Sequence, residues 1–170
     1  MIELKPMSIL DKEMVECVNL WVTQEQDDFV APNSYSLAEA YDTNKKYAAK
    51  GEGSRAAPFA AYKDGKMVGF VMIGYLYPDE DDDKLGIFCD EPVYYLWRLF
   101  VDMKHQGKGV GKEILRLAME KVKEKYLGDA SRCFASYDPD NDASRRTFSA
   151  YGFEEDGRVI DDEVVCKIDI

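Results

Sequence analysis

From Val93 to Val101 the chain is apolar at odd and even positions alike, and only Arg98 breaks the run. A strand exposed on one face alternates, so a run without alternation predicts a central strand, Tyr94 to Val101, covered on both faces. Gly107, Gly109 and Gly111 follow, interleaved with Lys108, Val110 and Lys112. Behind them Val110, Ile114, Leu117, Ala118 and Val122 recur at helical spacing, with Lys112, Glu113, Arg116, Glu120, Lys123 and Glu124 on the other face. That pattern predicts an amphipathic helix to Tyr126 that begins inside the glycine run, with Gly128 as its stop.

The same reading organises the rest. Ile2 to Lys5 alternates as a first strand. Ser8 and Asp11 resemble a capping box, and Leu10, Met14, Cys17, Val18 and Trp21 predict a first helix. Gln24 to Asn33 breaks the period, and a second helix is expected from Ser36 to about Lys50. Pro58 to Tyr62 and Met67 to Tyr77 flank Asp64-Gly65, a strong hairpin signal. The charged run Pro78 to Lys84 opens an excursion to Pro92. Arg132 to Tyr137 reads as a short strand, Asp138 to Asn141 as the cap of a helix reaching about Tyr151, and Phe153 to Arg158 with Glu163 to Ile170 as a closing hairpin around Asp161-Asp162.

The glycine run has a physical use. The first amides of a helix lack intrahelical acceptors, and the peptide dipoles leave a partial positive charge there, which suits a phosphate or diphosphate. Three alternating residues without Cβ let a ligand lie on the backbone. A ligand-free glycine turn satisfies the bare pattern too. Two familiar loops are excluded. A Walker A loop needs Gly and Ser or Thr where Gln106 and Glu113 stand, and a dinucleotide fingerprint needs a third Gly where Lys112 or Ile114 stands.

Composition narrows the class. A chain of 170 residues with 46% hydrophobic content suits one globular domain, residues 1–170, that buries roughly two thirds of its unfolded surface. No apolar run approaches a signal peptide or a membrane span, so a cytosolic (cytoplasmic) protein with no membrane partner is expected. The four cysteines, Cys17, Cys89, Cys133 and Cys166, have no metal-ligand spacing and read as reduced, packed thiols, with no metal expected. A net charge of −11 argues against nucleic acid and suits a cationic small molecule or a basic protein partner, although acidic balance also serves solubility alone.

Gln106-x-x-Gly109-x-Gly111 after a buried strand resembles the signature of the GCN5-related N-acetyltransferases (GNAT). Asp138-Pro139-Asp140-Asn141, Ser144, Phe148 and Gly152-Phe153 are similar to that family's C-terminal block, and the element order β-α-α-β-β-β-α-β-α-β-β matches. Phe29 to Tyr41 and Tyr94 to Asp102 look most like the Blt-type spermine and spermidine acetyltransferases. The resemblance implies an α/β (α+β) fold: a mixed, mostly antiparallel sheet, helices on both faces, and central strands that splay at a bulge. It also implies acetyl-CoA as co-substrate. Leu99, Phe100 and Val101 would bind its pantetheine arm, Gln106, Gly107, Lys108, Gly109, Val110, Gly111 and Lys112 its diphosphate, and Asn141 and Phe148 the arm from the other side. The acceptor is expected to be a small, polycationic amine held by Asp27, Asp28, Phe29, Asp90 and Glu91, and a homodimer is compatible with the family.

The chain departs from the family at the proton donor. Phe148 occupies the position of the Tyr that protonates the leaving thiolate, and phenylalanine cannot donate. Tyr151, one turn later, and Tyr137, ending the preceding strand, are the substitute phenols, although Tyr151 reads more simply as a packed helix-end aromatic. Asp90, Glu91 and Tyr94, or water held by them, are the candidate bases. His105 borders the glycine turn and reads as a surface or phosphate contact. The alternatives are an acetyltransferase of an amino acid, an aminoglycoside or a protein N-terminus, and a coenzyme A binding or sensing module with little turnover.

Overall fold

The computed structural model of the protein describes residues 1–78 and 90–170, so most of the expected excursion from Pro78 to Pro92 lies outside the described residues. In chain order the elements are β1 (Ile2–Pro6), α1 (Met14–Val18), α2 (Asn33–Lys50), β2 (Arg55–Lys63), β3 (Lys66–Leu76), β4 (Val93–Val101), α3 (Val110–Lys123), β5 (Arg132–Tyr137), α4 (Asp142–Tyr151), β6 (Glu154–Ile160) and β7 (Glu163–Asp169). The described strands form one mixed sheet in the order β1-β2-β3-β4-β5-β7-β6. Its pairs are antiparallel except β4 with β5. Two tight turns close its hairpins with consecutive left-handed residues, Asp64 and Gly65 in one and Asp161 and Asp162 in the other.

Both faces are covered, as the unbroken apolar runs require. On one face Val110, Ile114, Leu115, Ala118, Met119 and Val122 of α3 pack on Val71, Ile73, Tyr94 and Leu96. On the other Cys17, Leu37 and Ala40 pack on Phe70, Met72 and Phe100. Ile114 has no exposed surface, and truncation there to Ala costs about 2–5 kcal/mol. These two layers hold β4 between them and so fix where its end delivers the chain. Among the described residues no helix is long and apolar enough to cross a membrane.

Besides α2 and β2, which each begin three residues earlier than expected, two elements differ from the sequence pattern. The first helix is only Met14–Val18, because the chain leaves it to join the end of β4: the Trp21 amide donates to Asp102 Oδ1 at 3.2 Å and the Met103 amide to the Trp21 carbonyl at 2.6 Å. Leu10 and Trp21 remain exposed. The helix α3 ends before Gly128. Lys125 takes the left-handed conformation (φ 56°) and the Tyr126 amide closes on the Lys121 carbonyl, which satisfies the last turn without a glycine. Gly128 serves packing instead, since a Cβ there would lie 2.6 Å from the Tyr75 ring.

Candidate active site

The site begins where β4 and β5 part. Their ladder has three pairs, Tyr94 with Cys133, Tyr95 with Phe134 and Leu96 with Ala135, and then stops although both strands continue. The cause lies on the other edge of β4. Met72 pairs with Arg98 and Ile73 with Leu96, so Trp97 is an extra residue, and a bulge of this kind bends and twists its strand. Beyond it β4 keeps its ladder with β3 as far as Val101, while its second edge has no strand partner among the described residues. The opening thus starts at Trp97, earlier than the Leu99 to Val101 segment expected to splay.

The chain then passes through a 3₁₀ turn, Met103–His105, into the glycine run. Gly107 (φ 71°) and Gly109 (φ 76°) are left-handed, and Gly109 sits immediately before α3. The Glu113 amide bonds the Gly109 carbonyl at 3.1 Å, so the amides of Val110, Gly111 and Lys112 precede the first helical bond and point out of the helix start. Gln106 braces the turn: its Nε2 donates to the Val101 carbonyl at 3.0 Å and to Gln26 Oε1 at 2.9 Å. The turn is therefore tied both to the end of β4 and to the 3₁₀ helix Gln24–Phe29 that follows α1.

A cavity of about 710 Å³ runs from this turn to the parting of the strands. Its walls are the β4 segment Leu96 to Val101, the turn from Gln106 to Lys112 without Lys108, Ser136 and Tyr137 of β5, the first two turns of α4, Glu163 of β7, and Val22, Gln26 and Asp28 to Ala31 of the first connection. Asn141 opens α4 as the pattern requires, its side chain accepting the Ser144 amide at 3.0 Å.

Charge in the cavity is organised in two groups. Arg98 donates to Glu39 Oε2 of α2 at 3.2 Å and to the Trp97 carbonyl at 2.7 Å, while its buried Nε has no partner among the described residues. Burial pushes the Glu39 carboxyl up and Arg98 pulls it back down, with burial the larger effect. In the second group the Tyr95 hydroxyl stands 2.6 Å from Ser136 Oγ, and Ser136 donates to Glu163 Oε2. Burial pushes the Tyr95 phenol up to about 12, so it stays protonated.

The expected site residues divide cleanly. Leu99, Phe100, Val101, Gln106, Gly107, Gly109, Val110, Gly111, Lys112, Asn141 and Phe148 all line the cavity, as do Tyr137, Asp28 and Phe29. Lys108 and Asp27 do not, and the Lys108 amine folds back onto the Lys104 carbonyl at 2.9 Å. Three candidate bases do not line the cavity. Tyr94 is fully buried and clasps the turn before β5, donating to the Gly128 carbonyl at 2.9 Å and accepting the Leu127 and Gly128 amides at 3.0 and 3.1 Å. Asp90 and Glu91 stand at the start of β4, away from the cavity, where Glu91 takes Ser131 and Arg132 at 2.8 and 2.9 Å.

The two substitute phenols are placed differently from one another. Tyr151 is outside the cavity, tilted on Phe153 with Lys123 5.6 Å above its ring. Tyr137 stacks on Phe148, but its hydroxyl donates to Glu155 Oε1 at 2.8 Å, and burial together with that carboxylate holds its pKa far above the usual phenol range. Sequence reasoning missed Trp97, Arg98, Ser136, Arg146 and Glu163. Arg98 alone carried a signal, as the one charge in an apolar strand. Among the described residues no cluster of His, Cys, Asp and Glu could hold a metal ion.

A family model, described as the acetyltransferase (GNAT) family, matches residues 14–153. The chain belongs to that family. Among curated proteins the acetyltransferase is 26% identical over 152 residues to a spermine/spermidine N(1)-acetyltransferase of Bacillus subtilis (strain 168), covering 89% of this chain and 88% of that one. Among solved structures it superposes on the aminoglycoside acetyltransferase AAC(6')-Ib in complex with coenzyme A, with TM-score 0.69, 16% identity and coverage of 99% and 95% of the two chains. It also superposes on the PaiA N-acetyltransferase of Thermoplasma acidophilum in complex with coenzyme A, with TM-score 0.63, 16% identity and coverage of 100% and 99%. At such identities the structural matches establish the acetyltransferase fold.

Proposed function

We propose that this N-acetyltransferase moves the acetyl group of acetyl-CoA directly onto a primary amine of a small polycation of the spermidine or spermine kind. The observation that carries the reading is the continuity of one cavity, from the amides at the start of α3 to the free edge of β4. In this reading the diphosphate takes the amides of Val110 to Lys112, with the side chain of Lys112 beside them. The pantetheine arm lies along Leu99 to Val101 as an added strand, with Asn141 opposite, and the thioester reaches the bulge at Trp97. A peptide N–H at the bulge supplies a donor for the carbonyl oxygen as it gains charge.

Three features support a polycationic acceptor. Asp28 and Glu163 line the cavity, the chain carries a net charge of −11, and the Bacillus relative is named for polyamines. A second reading, an acceptor that also carries a carboxylate, is favoured by Arg98, the guanidinium-bearing residue of β4 that lines the cavity. Release of coenzyme A thiol, measured with spermidine, spermine, amino acids, an aminoglycoside and a peptide N-terminus, separates the two. The polyamines are expected to give the highest kcat/KM. Brisk turnover of an amino acid beside none of spermidine would transfer the assignment to the second reading, and no turnover of any amine would remove both.

A further inference from the structure

The amine arrives at the site as an ammonium, and only a neutral amine attacks a thioester. None of the acids expected to remove that proton reaches the cavity, since Glu91 is engaged by Ser131 and Arg132 and Tyr94 is sealed in the core. Glu163 does reach it. It opens β7, which pairs with β5 so that Ser136 lies opposite Val165, and both Glu163 and Ser136 face the cavity. Ser136 follows directly after Ala135, the last residue of β5 paired with β4, and therefore sits at the apex where the strands part.

A serine hydroxyl has one hydrogen to give and two lone pairs to fill. Here the hydrogen goes to Glu163 Oε2, and the Tyr95 phenol, 2.6 Å away and held protonated by its burial, fills one lone pair. One lone pair of Ser136 is left for a donor that none of the described residues provides. The acceptor ammonium is such a donor.

We propose that Ser136 and Glu163 form the proton-accepting relay of the acetyl transfer, an assignment that rests on the acetyltransferase reading above. Ser136 Oγ takes a proton from the acceptor ammonium and passes its own to the Glu163 carboxylate, leaving a neutral amine. The amine nitrogen forms the C–N bond to the thioester carbonyl. The intermediate collapses with cleavage of the C–S bond, and the coenzyme A thiolate takes the proton carried by the new C–N nitrogen. Amide and thiol are the products, and Glu163 returns its proton to solvent. Because the leaving thiolate takes its proton from the new C–N nitrogen, this sequence needs no phenol at position 148. Ser136 is the catalytic contact, and Glu163 acts through it. The charged and titratable neighbours of the pair are Tyr95 and Arg98 of β4, Tyr137 of β5, Cys166 of β7, Asp161 and Asp162 of the adjoining turn, and Asp28 and Arg146 across the cavity.

The test is steady-state kinetics of the acceptor from about pH 6 to about pH 10, with acetyl-CoA affinity measured by calorimetry, on the parent and on Glu163→Gln, Ser136→Ala and Tyr95→Phe. Glu163→Gln and Ser136→Ala are each expected to lower kcat by about 100-fold near neutrality while acetyl-CoA binds within about threefold of the parent, which also reports an intact fold. The deficit should shrink as the pH approaches the acceptor's own pKa, because solvent then supplies the free amine, and a merely structural role gives no such convergence. Tyr95→Phe should cost less than either. A raised KM with unchanged kcat in Glu163→Gln would make Glu163 a docking group and overturn the relay, as would full activity of Ser136→Ala. A parent that neither binds acetyl-CoA nor acetylates any amine would instead overturn the acetyltransferase reading, and the relay with it.

Discussion

Phe148 is held on two sides, stacked on Tyr137 at 6.1 Å and edge-on to Phe153 at 5.4 Å, and it faces the cavity. Adding a hydroxyl to that ring restores a proton donor where the family has one. Phe148→Tyr is therefore expected to raise kcat by up to about 10²-fold with little change in acetyl-CoA affinity, checked by thiol release and calorimetry. Tyr151→Phe should leave kcat at the parent value, because that ring lies outside the cavity. Tyr137→Phe should act on stability rather than rate. It removes one hydrogen bond to the Glu155 carboxylate, which is exposed and can turn to water, a loss of about 0.5–1.5 kcal/mol readable in denaturant unfolding. A tenfold loss of kcat in either single variant would mean that the missing acid had moved to that phenol.

At the level of elements, the parting of β4 and β5 makes the site, and what closes the other end of those strands should bear on stability alone. Ser131 and Arg132 hold the Glu91 carboxyl below the usual carboxylate range. A depressed pKa in the fold gives stability that is present above the unfolded value, about 4.3, and is lost as pH falls through the folded one. Parent and Glu91→Gln should thus differ slightly in unfolding midpoint at neutral pH, converge in acid, and turn over alike throughout. The glycine turn and α3 were legible because their signal is local: Gly107 to Gly111 and the helical period behind them are contiguous in the chain. The bulge at Trp97 was only partly legible, since two-faced burial hides the parity break that marks it. Tyr94 read as a site residue because it is polar near a candidate acid, while its partners, Leu127 and Gly128, are set by how α3 ends. Ser136 and Glu163 were illegible because only the order β4-β5-β7 brings them together.

Over the whole molecule the net charge of −11 gives a long-range pull on cations, but the structure brings few of the expected acids to the cavity. Asp28→Asn should raise the KM for spermidine by about threefold to tenfold with little effect on kcat, whereas neutralising Asp27, Asp90 or Glu91 should change it far less. The KM should rise with salt, and a salt-independent KM would speak against the polycation. The central claim, that the cavity in front of α3 holds acetyl-CoA, has a more direct test in the glycine turn. A Cβ at Gly111 meets Val101 Cγ2 at 3.5 Å, an ordinary contact, so Gly111→Val should fold while filling the space in front of the helix amides. Calorimetric titration of acetyl-CoA into both proteins decides the matter: the parent should bind, and folded Gly111→Val should bind at least about tenfold more weakly, a loss of about 1.4 kcal/mol or more. Equal affinity in the two proteins would contradict the account.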